Sequence, residues 1–302
     1  MANTGLHISL SAEPVFHIGG VVITNSILTS LIVTFLLISF ALIVNRSLKT
    51  SGKPKGLQNF AEMVIEALYN LVHSVTGSKE KTHQFFPFVA SFFLFIIMNN
   101  YLGLLPGVGT IGFYEREEEI KQETIQSLIT ISQAQASENP SELTPETTSQ
   151  IETPTSNTTE EQPEAETHKP IFVPYLRAGT ADLNTTLALA LVSMFLVQFF
   201  GIKHLGLSYF KKFFNFSNPI NAYVGILELI SEFAKIISFA FRLFGNIFAG
   251  EVLLAVIGFL VPVIAPMPFY GLELFVGFIQ ALVFSMLSLV FYNMATFGHD
   301  EH

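Results

Sequence analysis

The chain has 302 residues, half of them apolar and only 13% charged, with a mean hydropathy of +0.50. That profile belongs to a protein that crosses a membrane several times and excludes an ordinary soluble domain. There is no cysteine, hence no disulfide or thiol chemistry, and the net charge of −9 is misleading, because thirteen of the 24 acidic residues are glutamates between positions 115 and 166.

Outside that acidic stretch the chain is slightly positive, and its basic residues set the topology. The first apolar run, 21–44, is long enough to cross about 30 Å of hydrocarbon. Arg46, Lys49, Lys53 and Lys55 follow it. By the positive-inside rule that loop is cytoplasmic and the N-terminus lies outside. The first 20 residues contain no Lys or Arg, so a cleaved signal peptide is not expected. Over 57–75, Leu57, Phe60, Ala61, Val64, Leu68, Leu71 and Val72 recur every three or four residues, while Glu62, Glu66, Asn70 and His73 face away. This spacing predicts an amphipathic helix along the inner membrane surface.

A second span, 84–105, runs outward to Pro106. Residues 117–136 suit a short helix, with Ile120, Leu128 and Ile131 on one side. From 137 onward Ser, Thr, Glu and Pro dominate and offer almost nothing to bury. Residues 107–170 therefore read as an acidic, largely disordered extracytoplasmic insertion. A third span, 182–202, returns inward to Lys203, His204, Lys211 and Lys212. Ser217-Asn218-Pro219 then opens a helix, a capping pair followed by proline at the first helical position. A helix over 219–261 would be about 64 Å long at 1.5 Å per residue, twice the hydrocarbon thickness, so it must tilt or bend. Pro262, Pro266 and Pro268 form the outer turn, and a last long helix, 269–297, leads to the cytoplasmic tail His299-Asp300-Glu301-His302.

The expected fold class is an all-α polytopic membrane protein: about five membrane-crossing helices plus one interfacial amphipathic helix, the two long tilted C-terminal helices forming a hairpin. An N-terminal membrane region, 1–106, precedes the insertion, 107–170, and an ion-conducting membrane region, 171–302.

The chemistry concentrates around Arg242. A charge within hydrocarbon costs from about 3 to more than 10 kcal/mol on competing scales, so it marks an ion path or a functional pair. On a helix, Glu228, Ser231, Lys235, Ser238, Arg242 and Asn246 fall within about 40° of one line, with apolar residues between them. Glu251, nine residues past Arg242, points to a different neighbour. Glu228 lies about 21 Å before Arg242 along the helix and Glu251 about 13.5 Å beyond it, one carboxylate on each side of the cation. Glu273, Gly277 and Gln280 share a face of the last helix, and Gly250 with Gly277 would let the two long helices approach closely. Glu232 and Lys235 sit toward the cytoplasmic side, where a lysine can snorkel. Asn99, Asn100 and Asn184 suit caps or bridges at the outer mouth.

The run Arg242-Leu-Phe-Gly-Asn-Ile-Phe-Ala-Gly-Glu251 resembles the a subunits of bacterial F-type ATP synthases, the stator half of a proton path. Three further blocks agree: Phe278-Ile-Gln280-Ala-Leu-Val-Phe-Ser-Met-Leu, Met98-Asn99-Asn100-Tyr101-Leu-Gly-Leu-Leu-Pro106 and Asp182-Leu-Asn184-Thr-Thr-Leu-Ala-Leu. Their order fits the family, and the insertion after Pro106 is the main departure.

The resemblance implies a non-catalytic subunit that presents Arg242 to the carboxylate of a rotating c-ring. It implies an outer half-channel lined by Asn246, Glu251, Glu273 and Gln280, and a cytoplasmic half-channel lined by Glu228 and Ser238. The implied partners are the c subunits, a b-type peripheral stalk, the rest of the complex and membrane lipid, with no nucleic acid. The implied location is the bacterial plasma membrane. Many relatives carry His at the position of Glu273. No Walker-type loop and no nucleophile constellation is present, so neither ATP binding by this chain nor any cofactor or metal is expected. The competing classes are a secondary transporter, disfavoured because no internal repeat is visible, and an intramembrane enzyme using Glu251 and Glu273 as an acid pair.

Overall fold

The computed structural model describes residues 12–18, 21–47, 56–109, 111–115, 171–206, 209, 213, 219–261 and 264–297. Six α-helices organise the described residues: α1, Asn25–Ser47; α2, Leu57–Thr76; α3, Lys79–Gly103; α4, Leu183–Leu205; α5, Pro219–Leu260; and α6, Pro266–Ala295. All but α2 are long and apolar enough to cross a membrane. The chain is thus an all-α polytopic membrane protein, as its periodicity implies.

The ends of the elements follow local chemistry. The β-branched run Val21–Thr24 is a strand, β2, rather than the start of the first span. It pairs antiparallel with β1, Pro14–Ile18, in a small hairpin with Phe16 opposite Ile23. Apolar β-branched residues suit a strand once a partner is at hand, and hydropathy alone does not separate the two states. Helix α1 then begins at Asn25, where Thr24 Oγ1 accepts the Ile27 N–H at 3.4 Å. Asp182 caps α4, accepting the Asn184 N–H at 3.2 Å and the Thr185 hydroxyl at 3.3 Å. The capping side chain at the start of this span is therefore Asp182, while Asn184 itself is exposed.

In α2 only part of the apolar face is covered. Ala61, Leu68 and Val72 are buried against the core, and Leu57, Phe60 and Leu71 are exposed. His73, expected to face away, bonds Thr82 Oγ1 at 3.0 Å and stacks on Tyr69.

Helices α3, α4, α5 and α6 enclose the core, which is built from Phe85, Phe92, Phe93, Phe200, Phe239, Phe284 and Tyr292 with aliphatic neighbours. Ring pairs set its geometry, such as Phe85–Phe200 at 4.9 Å and Phe239–Phe284 at 5.0 Å, both edge-on. Lipid offers no hydrophobic drive between helices, so close packing must supply the cohesion. Edge-to-face aromatic pairs add about 0.5–1.5 kcal/mol each beyond area burial, a use for 31 phenylalanines. The buried hydroxyls Ser193 and Ser288 bridge α4 and α6 at 2.7 Å.

A second compact unit comprises Gly112–Val173. Within it strand β4, Gly112–Glu115, pairs with β5, Ile171–Pro174, and Tyr114 meets Phe172 edge-on at 5.4 Å. A short strand β3, Pro106–Gly109, precedes it in the chain. The expected helix over 117–136, the acidic stretch 137–168, the basic residues Lys49, Lys53, Lys55, Lys211 and Lys212, and the histidine tail lie outside the described residues.

Candidate functional site

Helix α5 is 42 residues of unbroken α-helix, and it divides the site into an exposed band and two buried ends. Ser238, Arg242 and Asn246 are exposed, and so are the apolar neighbours Phe233, Ile237 and Phe241. Arg242 Nη2 reaches Ser238 Oγ at 3.5 Å, and its guanidinium lies 5.8 Å from the Phe239 ring centroid. Among the described residues no carboxylate pairs with Arg242. A cation that cannot lose its proton thus stands on an open face with two uncharged polar side chains, Ser238 and Asn246, and apolar neighbours.

Beyond Arg242 the two long helices are joined by Asn246, whose Nδ2 donates to Gln280 Oε1 at 3.2 Å. Gln280 is buried, and its Nε2 has no hydrogen-bond partner among the described residues. Two turns earlier on α6, Glu273 is buried at 6% exposure. Its carboxyl lies against Gly250, where a Cβ would collide with it. Gly250 therefore makes room for a carboxyl rather than for a helix backbone. Gly277 likewise serves another neighbour than expected. Its missing Cβ admits Asn100 of α3, whose Nδ2 donates to Gly277 O at 3.1 Å. Glu251 meets Arg177: the Arg177 Nε lies 3.0 and 3.1 Å from the two carboxylate oxygens, and Nη2 lies 2.8 Å from Oε2.

At the other end of α5, Glu228 and Ser231 are half-buried and Glu232 is buried at 8% exposure. Glu232 Oε1 accepts from Lys235 Nζ at 2.8 Å, and Oε2 accepts from Gln198 Nε2 of α4 at 3.3 Å. Gln198 Oε1 in turn accepts from the Tyr209 hydroxyl at 2.8 Å. The Tyr209 ring covers Gly201, where no Cβ fits. Burial, and then the charges of Glu232 and Glu228, push the Tyr209 hydroxyl up to about 12. Lys235 has a partner within its own helix. It holds Glu232 and lies 5.1 Å from the Phe291 ring centroid.

The structure thus places the sequence-derived residues in three groups. Arg242 and Ser238 share the open band. Asn246 and Gln280 touch, and Glu273 sits on Gly250. Glu228 lies in the same helix end as the Glu232 network. Sequence inspection missed Arg177, Gln198 and Tyr209. Arg177 is the one charged residue in the stretch 170–181, and no local pattern singles it out. Gln198 is the lone glutamine inside the third span, far from the other amide, Asn184, at its start. Among the described residues no group of three or more His, Asp or Glu is gathered to hold a metal.

The family described as ATP synthase A chain matches residues 27–293. The ATP synthase subunit a of Syntrophobacter fumaroxidans is 30% identical over 250 residues, covering 82% of this chain and 74% of that protein. That of Gloeobacter violaceus is 31% identical over 249 residues, 82% of this chain and 75% of its own length. The chloroplastic ATP synthase subunit a of Stigeoclonium helveticum is 32% identical over 251 residues, 82% and 74% respectively.

Proposed function

The chain belongs to the ATP synthase A chain family, and on that premise we propose that α5 presents Arg242 to the carboxylate of a rotating ring of c subunits. As a member it is a non-catalytic, multi-pass membrane subunit of the synthase, and its work is proton translocation. Protons enter an outer half-channel lined by Asn246, Glu251, Glu273 and Gln280. They pass to a ring carboxylate, ride around, and leave by a cytoplasmic half-channel lined by Glu228 and Ser238. Near Arg242 the ring carboxylate is favoured in its charged form and releases its proton. The fixed cation also bars a proton from crossing directly between the two half-channels.

The observation that carries this is the open face of α5. Arg242 has no carboxylate partner among the described residues, and exposed Phe233, Ile237 and Phe241 flank it. A lone guanidinium facing hydrocarbon costs from about 3 to more than 10 kcal/mol. A partner surface that is apolar and carries one carboxyl per repeat removes that cost. The other partners proposed are a b-type peripheral stalk and the remaining subunits, in a bacterial plasma membrane with the N-terminus outside and the C-terminus cytoplasmic.

The test is ATP-driven proton pumping by inverted membrane vesicles carrying Arg242→Ala. Pumping should fall to background in complexes that still contain every subunit. Normal pumping would remove the proposal.

A further inference from the structure

On the reading that α5 faces a ring of c subunits, we propose that Glu232 is a positioning residue that neutralises Lys235 and draws it off the ring-facing stripe, so that Arg242 is the net cation α5 presents to the ring. Helix α5 contains no other Lys or Arg. Helical spacing puts Lys235 and Arg242 on one line, seven residues and about 10.5 Å apart. A ring carboxyl passing that line would otherwise meet two cations. The structure treats the two differently. Arg242 is exposed and has no carboxylate partner among the described residues. The Lys235 side chain is only 26% exposed, and its Nζ lies 2.8 Å from Glu232 Oε1.

Glu232 is held by more than its own helix. It is 8% exposed in a helix long and apolar enough to cross a membrane, where a carboxylate is expensive. Its i to i+3 spacing from Lys235 would by itself make a weak surface pair. Here the acid is fixed from α4 as well. Its Oε2 accepts from Gln198 Nε2 at 3.3 Å, and Gln198 Oε1 accepts from the Tyr209 hydroxyl at 2.8 Å. The Tyr209 ring is seated in turn on Gly201.

The ammonium is turned toward the neighbouring helix. It lies 5.1 Å from the ring centroid of Phe291 on α6. The other titratable groups at this end among the described residues are Glu228, one turn before Glu232, and Tyr209, whose hydroxyl, pushed up to about 12, stays neutral. A lysine that only reaches for water at a membrane surface needs no buried acid beside it. An acid set by a second helix, with its oxygen on the ammonium, suits a charge that has to be cancelled in place.

The deciding experiment is ATP-driven proton pumping by inverted vesicles over a range of external pH, relative to ATP hydrolysis by the same vesicles made leaky to protons. In Glu232→Gln, Lys235 becomes a second net cation beside the path that loads the ring carboxyl. It holds that carboxyl in its charged form. Pumping should fall severalfold near neutral pH and recover as external pH is lowered. The profile should move down by about one pH unit, the effect of a unit charge about 10 Å away at an effective dielectric of about 20. Glu232→Gln combined with Lys235→Gln leaves no net charge at the pair. It should return the profile to its native position, with pumping within about threefold of native. If Glu232 only clasps α5 to α4, the loss will not follow pH and removing the lysine will not mend it; either result overturns the proposal. If Glu232→Gln does not assemble, Glu232→Asp, whose shorter arm loosens the pair, is read for a shift in the same direction, and an unshifted profile overturns the proposal. Failure of the underlying proton-path function looks different: pumping would then survive Arg242→Ala.

Discussion

At Arg242 the guanidinium is exposed, reaches Ser238 Oγ only at the limit of a hydrogen bond, and lies over the Phe239 ring. At Arg177 it is buried and forked onto Glu251 from an anchored backbone. The same side chain is left open in one region of the molecule and fully engaged in the other. The contrast separates two uses of a fixed cation in a membrane. One is paired within the chain; the other has no carboxylate partner among the described residues. Nothing in the residue type distinguishes them; the neighbours do.

The contrast is broken most forcefully at Arg242. Arg242→Lys should fail to restore pumping, staying about tenfold or more below native, because a compact ammonium is shorter-reaching and loses its charge more readily than guanidinium on desolvation. Pumping by vesicles, normalised to assembled complex, measures it. Arg177→Lys keeps the charge but not the fork, so it should conduct at a level between native and Arg177→Gln.

The next test adds a methyl group at the contact between Glu273 and α5. In Gly250→Ala the new Cβ meets the Glu273 carboxyl, which must swing away. Overpacking of this kind costs about 1–3 kcal/mol. Proton flux should drop while the subunit still assembles, and Gly245→Ala, where nothing lies within 4 Å of the added carbon, should be milder in the isolated chain's thermal stability. Asn100→Ala should lower thermal stability by about 1–3 kcal/mol, since it orphans the Thr180 hydroxyl and empties the contact with Gly277.

The smallest effect belongs to the Glu228 end of α5. Tyr209→Phe removes one hydrogen bond to Gln198 and should cost about 0.5–1.5 kcal/mol at neutral pH. The sign of its pH dependence is fixed. A hydroxyl pushed from an ordinary 10 up to about 12 is favoured in its neutral form by the fold. Its contribution is therefore complete below pH 10 and is lost as pH rises toward 12. Ultraviolet titration of the tyrosinate band, native against Tyr209→Phe, should find the missing step near the upper value.

Much of this was legible in the sequence. The five spans announced themselves as apolar runs bounded by lysine, arginine or proline, and Pro219 marked the start of α5; the cap of α4 is Asp182 rather than the expected Asn184. The Arg242 band follows from helical periodicity alone. What escaped depends on contacts between distant residues. Arg177 reaches Glu251 across 74 positions, and no local pattern announces that. The Glu232 to Tyr209 network needs α4 and α5 side by side. The hairpin of β1 and β2 was masked by residues that suit a membrane helix as well as a strand. Gly250 and Gly277 were recognised as sites of close approach, but sequence spacing could not say that the visitors are Glu273 and Asn100.

The open Arg242 face bears on how the chain is made. If the proposed function holds, the newly inserted subunit carries a cation without a carboxylate partner on an open face until it assembles, and assembly relieves that penalty at a stroke. The free subunit would then be the strained form and the complex its resting place. The proposed transport charge would also give the unassembled protein a thermodynamic reason to find its partner.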